Sequence, residues 1–204
     1  MTDSVNQSPG NRLCTWILNP FHYVAGVRAL SAGIALIVLA GLLGSLSDSH
    51  FDGVLDFHTG RHTVIWFFIV AGLIDAACMG LLLYGVGVLL SSSKIRILDV
   101  FGTQALARWP TVLTSLAALL PGYRRQAERL ALGDAAAIPV DAIAFGVTVV
   151  VTLLAIVWMV VLMYRGFSVS CNVRGAKAWT VFGIALVAGE VLSKLALWPI
   201  LKTL

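Results

Sequence analysis

Charge is scarce in this 204-residue chain: only 12% of its residues are Asp, Glu, Lys or Arg, against about 25% in soluble domains. That shortage excludes an ordinary water-soluble globule. Cysteine is scarce as well. Cys14, Cys78 and Cys171 are far apart and odd in number, with no Cys-x-x-Cys spacing, which argues against a disulfide framework and against a zinc-thiolate site. Also missing are His-Glu-x-x-His, Gly-x-Ser-x-Gly, a P-loop and paired glutamates on one apolar segment, so the sequence gives no catalytic residues and an enzyme is not expected. The amino-terminal residues lack a basic stretch followed by an apolar run and a small-residue cleavage site, and Cys14 lacks the apolar stretch that precedes a lipidated cysteine, so the amino terminus is expected to be retained.

What is abundant is apolar surface. Hydrophobic residues make up 59% of the chain, its mean hydropathy is +0.92, and charge-free runs occupy 27–47, 63–74, 111–120 and 142–164. Such runs bury themselves mainly in lipid, at about 20 residues per helical crossing. The expected fold is all-α: a polytopic transmembrane bundle of five spans at about 27–47, 63–90, 99–120, 139–164 and 179–201, preceded by a polar tail and interfacial segment over 1–26. In the third span Gln104, Arg108 and Pro110 interrupt the apolar pattern, and a kinked helix is tolerated in a membrane only where neighbours satisfy its backbone. Within the interfacial segment Trp16, Phe21 and Tyr23 are candidate headgroup anchors, with Pro20 redirecting the chain.

The net charge of +4 comes from basic residues scattered between spans, as topology determinants are, so nucleic acid is not an expected partner. Placing the amino terminus in the cytoplasm puts seven inter-span Lys and Arg on that side and five on the other, and leaves the Asp-rich loop 48–62 outside. The stretch Tyr123–Arg129 is expected to be a solvated amphipathic connector or a contact for anionic headgroups, and Arg165–Lys177 a polar loop between the last two spans. Small residues recur at four-residue intervals in Gly72, Ala76 and Gly80, and in Ala185, Gly189 and Ser193, with Gly33, Gly41 and Ser45 along a face of the first span. These stripes let helix backbones approach closely.

Two groups of residues could carry chemistry. The first is an intramembrane polar cluster of Asp75, Gln104, Arg108, Glu190 and Lys194, whose four charges sum to zero. An unpaired charge at mid-bilayer costs at least ~2.5–3.5 kcal/mol, so these groups are expected to face one another or water, either as a structural network or as a proton or solute path. The second is the loop from His50 to His62. If 56–62 begins the second span, His58 and His62 share a helix face, and with His50, Asp52 and Asp56 they would suit a divalent transition metal. The alternative is an Asp cap and turn with histidines wet at the interface.

The segment NPFHYV before the first span, the FDGVLD loop, the entry KIRILDVFGTQALAR to the third span and the polar loop with Lys177 and Ala178 opening the fifth resemble the membrane domain of the Yip (Ypt/Rab-interacting protein) family, in its small stand-alone bacterial form. The resemblance covers residues 17–201. It implies a five-span fold in a bacterial inner membrane and an adaptor-like or membrane-organising role without catalytic residues or cofactor. Its partners would be the lipid bilayer and a membrane protein or a second copy of the chain. Rab binding is not implied, because the amino-terminal cytoplasmic domain of the eukaryotic members is almost absent here. The competing expectation is a small proton or divalent-metal transporter that uses the buried charges and the His/Asp loop.

Overall fold

The computed structural model describes residues 15–59, 64–131 and 142–203. Its α-helices are α1 (Gly26–Ser47), α2 (Ile65–Leu90), α3 (Ile97–Ala107), α4 (Thr111–Ala118), α5 (Pro121–Ala131), α6 (Ala142–Cys171) and α7 (Gly175–Thr203). Between α1 and α2 sits a small antiparallel hairpin, β1 (Ser49–Phe51) and β2 (Phe57–Thr59), in which His50 lies opposite His58. Among the described residues, α1, α2, α6 and α7 are long and apolar enough to cross a membrane, as expected of an integral membrane protein.

The region 97–118 is instead two short helices joined by a tight turn. Pro110 has no N–H to give, so the carbonyl four residues back loses its helical partner. The chain responds by tightening to three-residue bonds: Trp109 donates to the Leu106 carbonyl at 3.1 Å, Thr111 to Arg108 at 2.9 Å and Leu113 to Pro110 at 3.0 Å. The Thr111 hydroxyl donates to the Arg108 carbonyl as well, at 2.7 Å. This broken element is the centre of the bundle, packed by α1, α2 and α6, and every residue from Gly102 to Arg108 is buried. The Ser170 hydroxyl near the end of α6 lies 3.3 Å from the Asp99 carbonyl, and the Thr148 hydroxyl near its start shares its proton between the Ala117 and Ala144 carbonyls at 3.0 Å. The pair α3–α4 therefore runs antiparallel beside α6 for most of that helix.

The small-residue stripes are seams inside this chain. A Cβ at Gly33 would lie 2.5 Å from the backbone of Ala105 and Leu106, one at Gly41 2.9 Å from the Ile69 backbone, and one at Gly80 3.0 Å from the Phe101 ring. Gly189 faces Met79 across the α2–α7 contact. Ser45 is only half-buried.

Three sequence expectations need correction. The expected loop 165–177 is mostly helix: α6 continues to Cys171, leaving 172–174 as the connection. Tyr164, Phe167 and Cys171 extend its buried face, and Ser170 satisfies its hydroxyl on the Gly166 carbonyl at 2.7 Å, so the polar residues there do not break the helix. Phe21 is a core residue at 2% exposure rather than a headgroup anchor, whereas Trp16 and Tyr23 are half-exposed and stacked at 4.9 Å. Residues 57–59 form a strand, and the helix starts only at Ile65, so His58 does not lie on a helix face with His62.

Candidate functional site

The deepest polar contact joins α2 to the helix break. Arg108 Nη2 donates to Asp75 Oδ2 at 2.9 Å, with both side chains at most 1% exposed. Arg108 arrives there because the tightened turn rotates it out of the α3 ladder, and Asp75 because it shares the inward face of α2 with Ala71, Ala76 and Met79. Ser193 of α7 lies beside the Asp75 carboxylate. The guanidinium carbon of Arg108 stands 5.8 Å from the centre of the Phe51 ring, which brings the hairpin over the pair. Asp75 Oδ1, Arg108 Nη1 and Gln104 Oε1 have no hydrogen-bond partner among the described residues.

The other members of the expected cluster go elsewhere. Gln104 donates to the Met163 carbonyl of α6 at 3.1 Å. Glu190 and Lys194, one turn apart on α7, meet at 3.3 Å and reach outward to the hairpin loop. Lys194 Nζ is bonded to Asp56 Oδ2, and Glu190 Oε2 accepts the Leu55 N–H at 2.8 Å. Gly53 is pressed so closely on the Glu190 carboxylate that a Cβ there would overlap it. The loop is thus clamped to α7, with Val54 fully buried beneath it.

On the outer side of the clamp, His58 Nδ1 lies 3.0 Å from Asp52 Oδ1 and 3.5 Å from Asp56 Oδ1. Ligand atoms of Asp52, Asp56 and His58 all lie within 4.8 Å of one another. Burial pushes the Asp52 carboxyl above its ordinary range, opposed by His58. Two carboxylates and an imidazole would suit zinc or manganese, but Lys194 already places a positive charge on Asp56. His50 turns inward instead, its ring edge-on to Phe67 and Phe68 at 5.1 and 5.6 Å, and His62 lies outside the described residues. No family model, curated protein or solved structure matches the chain.

The metal reading has a direct test. With Lys194 neutralising Asp56, added zinc or cobalt is expected to leave the thermal midpoint of the protein unchanged. A stoichiometric divalent ion in protein purified without chelator, lost on His58→Ala, would overturn that expectation. Sequence reasoning missed the clamp residues Gly53 and Leu55, because a backbone N–H held by a carboxylate 135 residues away leaves no periodic signal. Gly53, set between Asp52 and Val54 in the loop, is the hint it offered.

Proposed function

We propose that the protein is a non-enzymatic, five-span integral membrane bundle of the Yip-like type, with an adaptor or membrane-organising role, its amino terminus cytoplasmic and its hairpin and carboxyl terminus outside. The observation that carries the reading is internal neutralisation of charge: Arg108 is matched by Asp75, and Lys194 by Asp56 and Glu190. A catalytic or transport site needs groups held ready for a substrate, whereas here Arg108–Asp75 ties the helix break to α2 and Lys194–Asp56 ties α7 to the hairpin loop. The fifth crossing is α3–α4. Its alignment along α6, between the contacts of Asp99 and Ala117, supports a full traverse, and burial within protein is what permits a broken helix at that depth.

Exposed tryptophans support the placement of the bilayer. Trp179 and Trp198 lie near the two ends of α7 and are both more than half exposed. The nineteen helical steps from one to the other span about 28 Å, close to the ~30 Å hydrocarbon thickness. The partners in this reading are lipid and another membrane protein or a second copy of the chain.

Reporter fusions after residue 57 and at the carboxyl terminus are expected to read as exterior. A cytoplasmic carboxyl terminus with an exterior residue 57 would reduce the crossings to four and defeat the assignment of α3–α4. The proton-path alternative rests on the unpartnered Asp75 Oδ1 and Arg108 Nη1. Proteoliposomes loaded with a pH-sensitive dye are expected to show no proton flux above protein-free vesicles. Flux abolished by Asp75→Asn would establish the alternative.

A further inference from the structure

Helix α7 packs chiefly on α2, and along that contact an apolar groove is left open. Its lining includes Leu82 of α2 and Thr180, Ile184, Ala188, Val191 and Leu195 of α7. Ile184, Val191 and Leu195 are each more than half exposed. The groove holds about 870 Å³, within the ~300–1,000 Å³ of small-molecule sites. From Thr180 to Leu195 the α7 wall runs for about 22 Å at ~1.5 Å per residue, so it is longer than one leaflet's half of the ~30 Å hydrocarbon core. At the end opposite the hairpin it meets cations. Lys177 stands on the same side of α7 as Ile184, Ala188 and Leu195, because these positions repeat with the helical period. Ser93 and Asn172 are hydrogen-bonded at 3.2 Å, which ties the segment after α2 to the turn before α7 and brings Lys94 and Arg174 to the same end.

Lys94, Arg174 and Lys177 are exposed, and none has an ion pair among the described residues. The sequence offers them no acid on either wall: no Asp or Glu occurs between Asp75 and Asp99 or between Asp141 and Glu190. Asp99 has its own cation in Arg96, at 3.9 Å. The occupant must therefore be apolar along its length and anionic at one end. A second copy of the chain fails the charge requirement, because a two-fold axis along the membrane normal would set Lys177 beside its own counterpart. A zwitterionic lipid fills the groove but brings no net charge to the cations. We propose that the α2–α7 groove binds one anionic phospholipid, with an acyl chain along Ile184, Ala188 and Leu195 and the headgroup phosphate held by Lys177 with Arg174 and Lys94. The site rests on α2 and α7 crossing the membrane and not on the adaptor role or the fifth crossing, so reporter fusions that defeated the five-span assignment would leave it standing.

Native mass spectrometry of the full chain, released from nanodiscs of equal parts phosphatidylglycerol and phosphatidylcholine with identical acyl chains, tests it. The wild type is expected to retain one phosphatidylglycerol per chain, several-fold in excess over phosphatidylcholine. Arg174→Gln with Lys177→Gln is expected to bring the two lipids to equal retention. Ala188→Phe fills the groove while leaving the cations in place, and is expected to lower phosphatidylglycerol retention several-fold. The charge variant alters only exposed side chains, so it keeps the test decisive if Ala188→Phe does not fold. Arg28→Gln removes an exposed cation at the start of α1, away from the groove, and is expected to change nothing. Equal retention of the two lipids by the wild type, preference unchanged in the charge variant, retention unchanged in a folded Ala188→Phe protein, a loss as great with Arg28→Gln, or a lipid-free dimer would each overturn the proposal.

Discussion

Arg108→Ala is expected to abolish most of the folded protein, whereas Asp75→Asn is expected to reduce it only in part. Removing the guanidinium strands the Asp75 carboxylate at 0% exposure, and breaking one side of a buried pair costs about 3–5 kcal/mol. That is a large share of the ~5–15 kcal/mol by which folded domains exceed their unfolded state. The amide introduced by Asp75→Asn would keep an acceptor for Arg108 Nη2, so less is lost. Replacing both members by apolar residues of similar volume, Asp75→Leu with Arg108→Met, is expected to recover much of the yield, since an apolar pair leaves no charge to desolvate. The measurement is the monodisperse fraction in detergent, followed by thermal unfolding. An Arg108→Ala protein as stable as wild type would show that the pair is energetically idle. A double variant no better than Arg108→Ala would show that the site is needed for something besides charge balance.

Gly33→Val is expected to be of comparable severity, for a steric reason. The new Cβ would meet the backbone of Ala105 and Leu106 at 2.5 Å, and helical backbone at the buried end of α3 cannot swing aside as a side-chain end can. Overpacking in a dense core costs about 1–3 kcal/mol and more where backbone must move, and here α1 would be pried from the central element. Gly183→Val provides the control, because nothing lies within 4 Å of a Cβ at that position, and its unfolding midpoint is expected to match wild type. Equal behaviour of the two variants would mean that the α1–α3 contact is looser than described.

How much of this was legible in the sequence depends on what each helix faces. Helices α1, α2 and α7 present broad apolar faces, with residues such as Leu42, Leu81 and Val187 exposed at the protein surface, and hydropathy located them to within a few residues. The stretch from Gly102 to Arg108 is covered by protein, so its positions are filled by residues such as Gly102, Thr103, Gln104 and Ala105, and the signal that marks lipid contact is weak there. The Asp75–Arg108 pairing was legible from energetics alone, because each charge needs a partner at that depth. The i,i+4 spacing gave Glu190 with Lys194, but the partner they share is a loop more than a hundred residues earlier. Its strands are three residues each, too short for alternation to register.

Under the five-span proposal, the order in which the chain is made bears on how the central element would enter the bilayer. Asp75 is synthesised thirty-three residues before Arg108, inside a long apolar helix that can partition into lipid unaided. The segment 97–118 is interrupted by an arginine and a proline, so it is a poor substrate for independent insertion. Its transfer from the ribosomal exit to the membrane becomes favourable once α1 and α2 wait there with a counter-charge and close-fitting glycines. Insertion of this segment would then be a templated event, guided by helices already in place. Moving Asp75 to a position after Arg108 in a circularly permuted chain would leave the arginine to enter lipid before its partner exists.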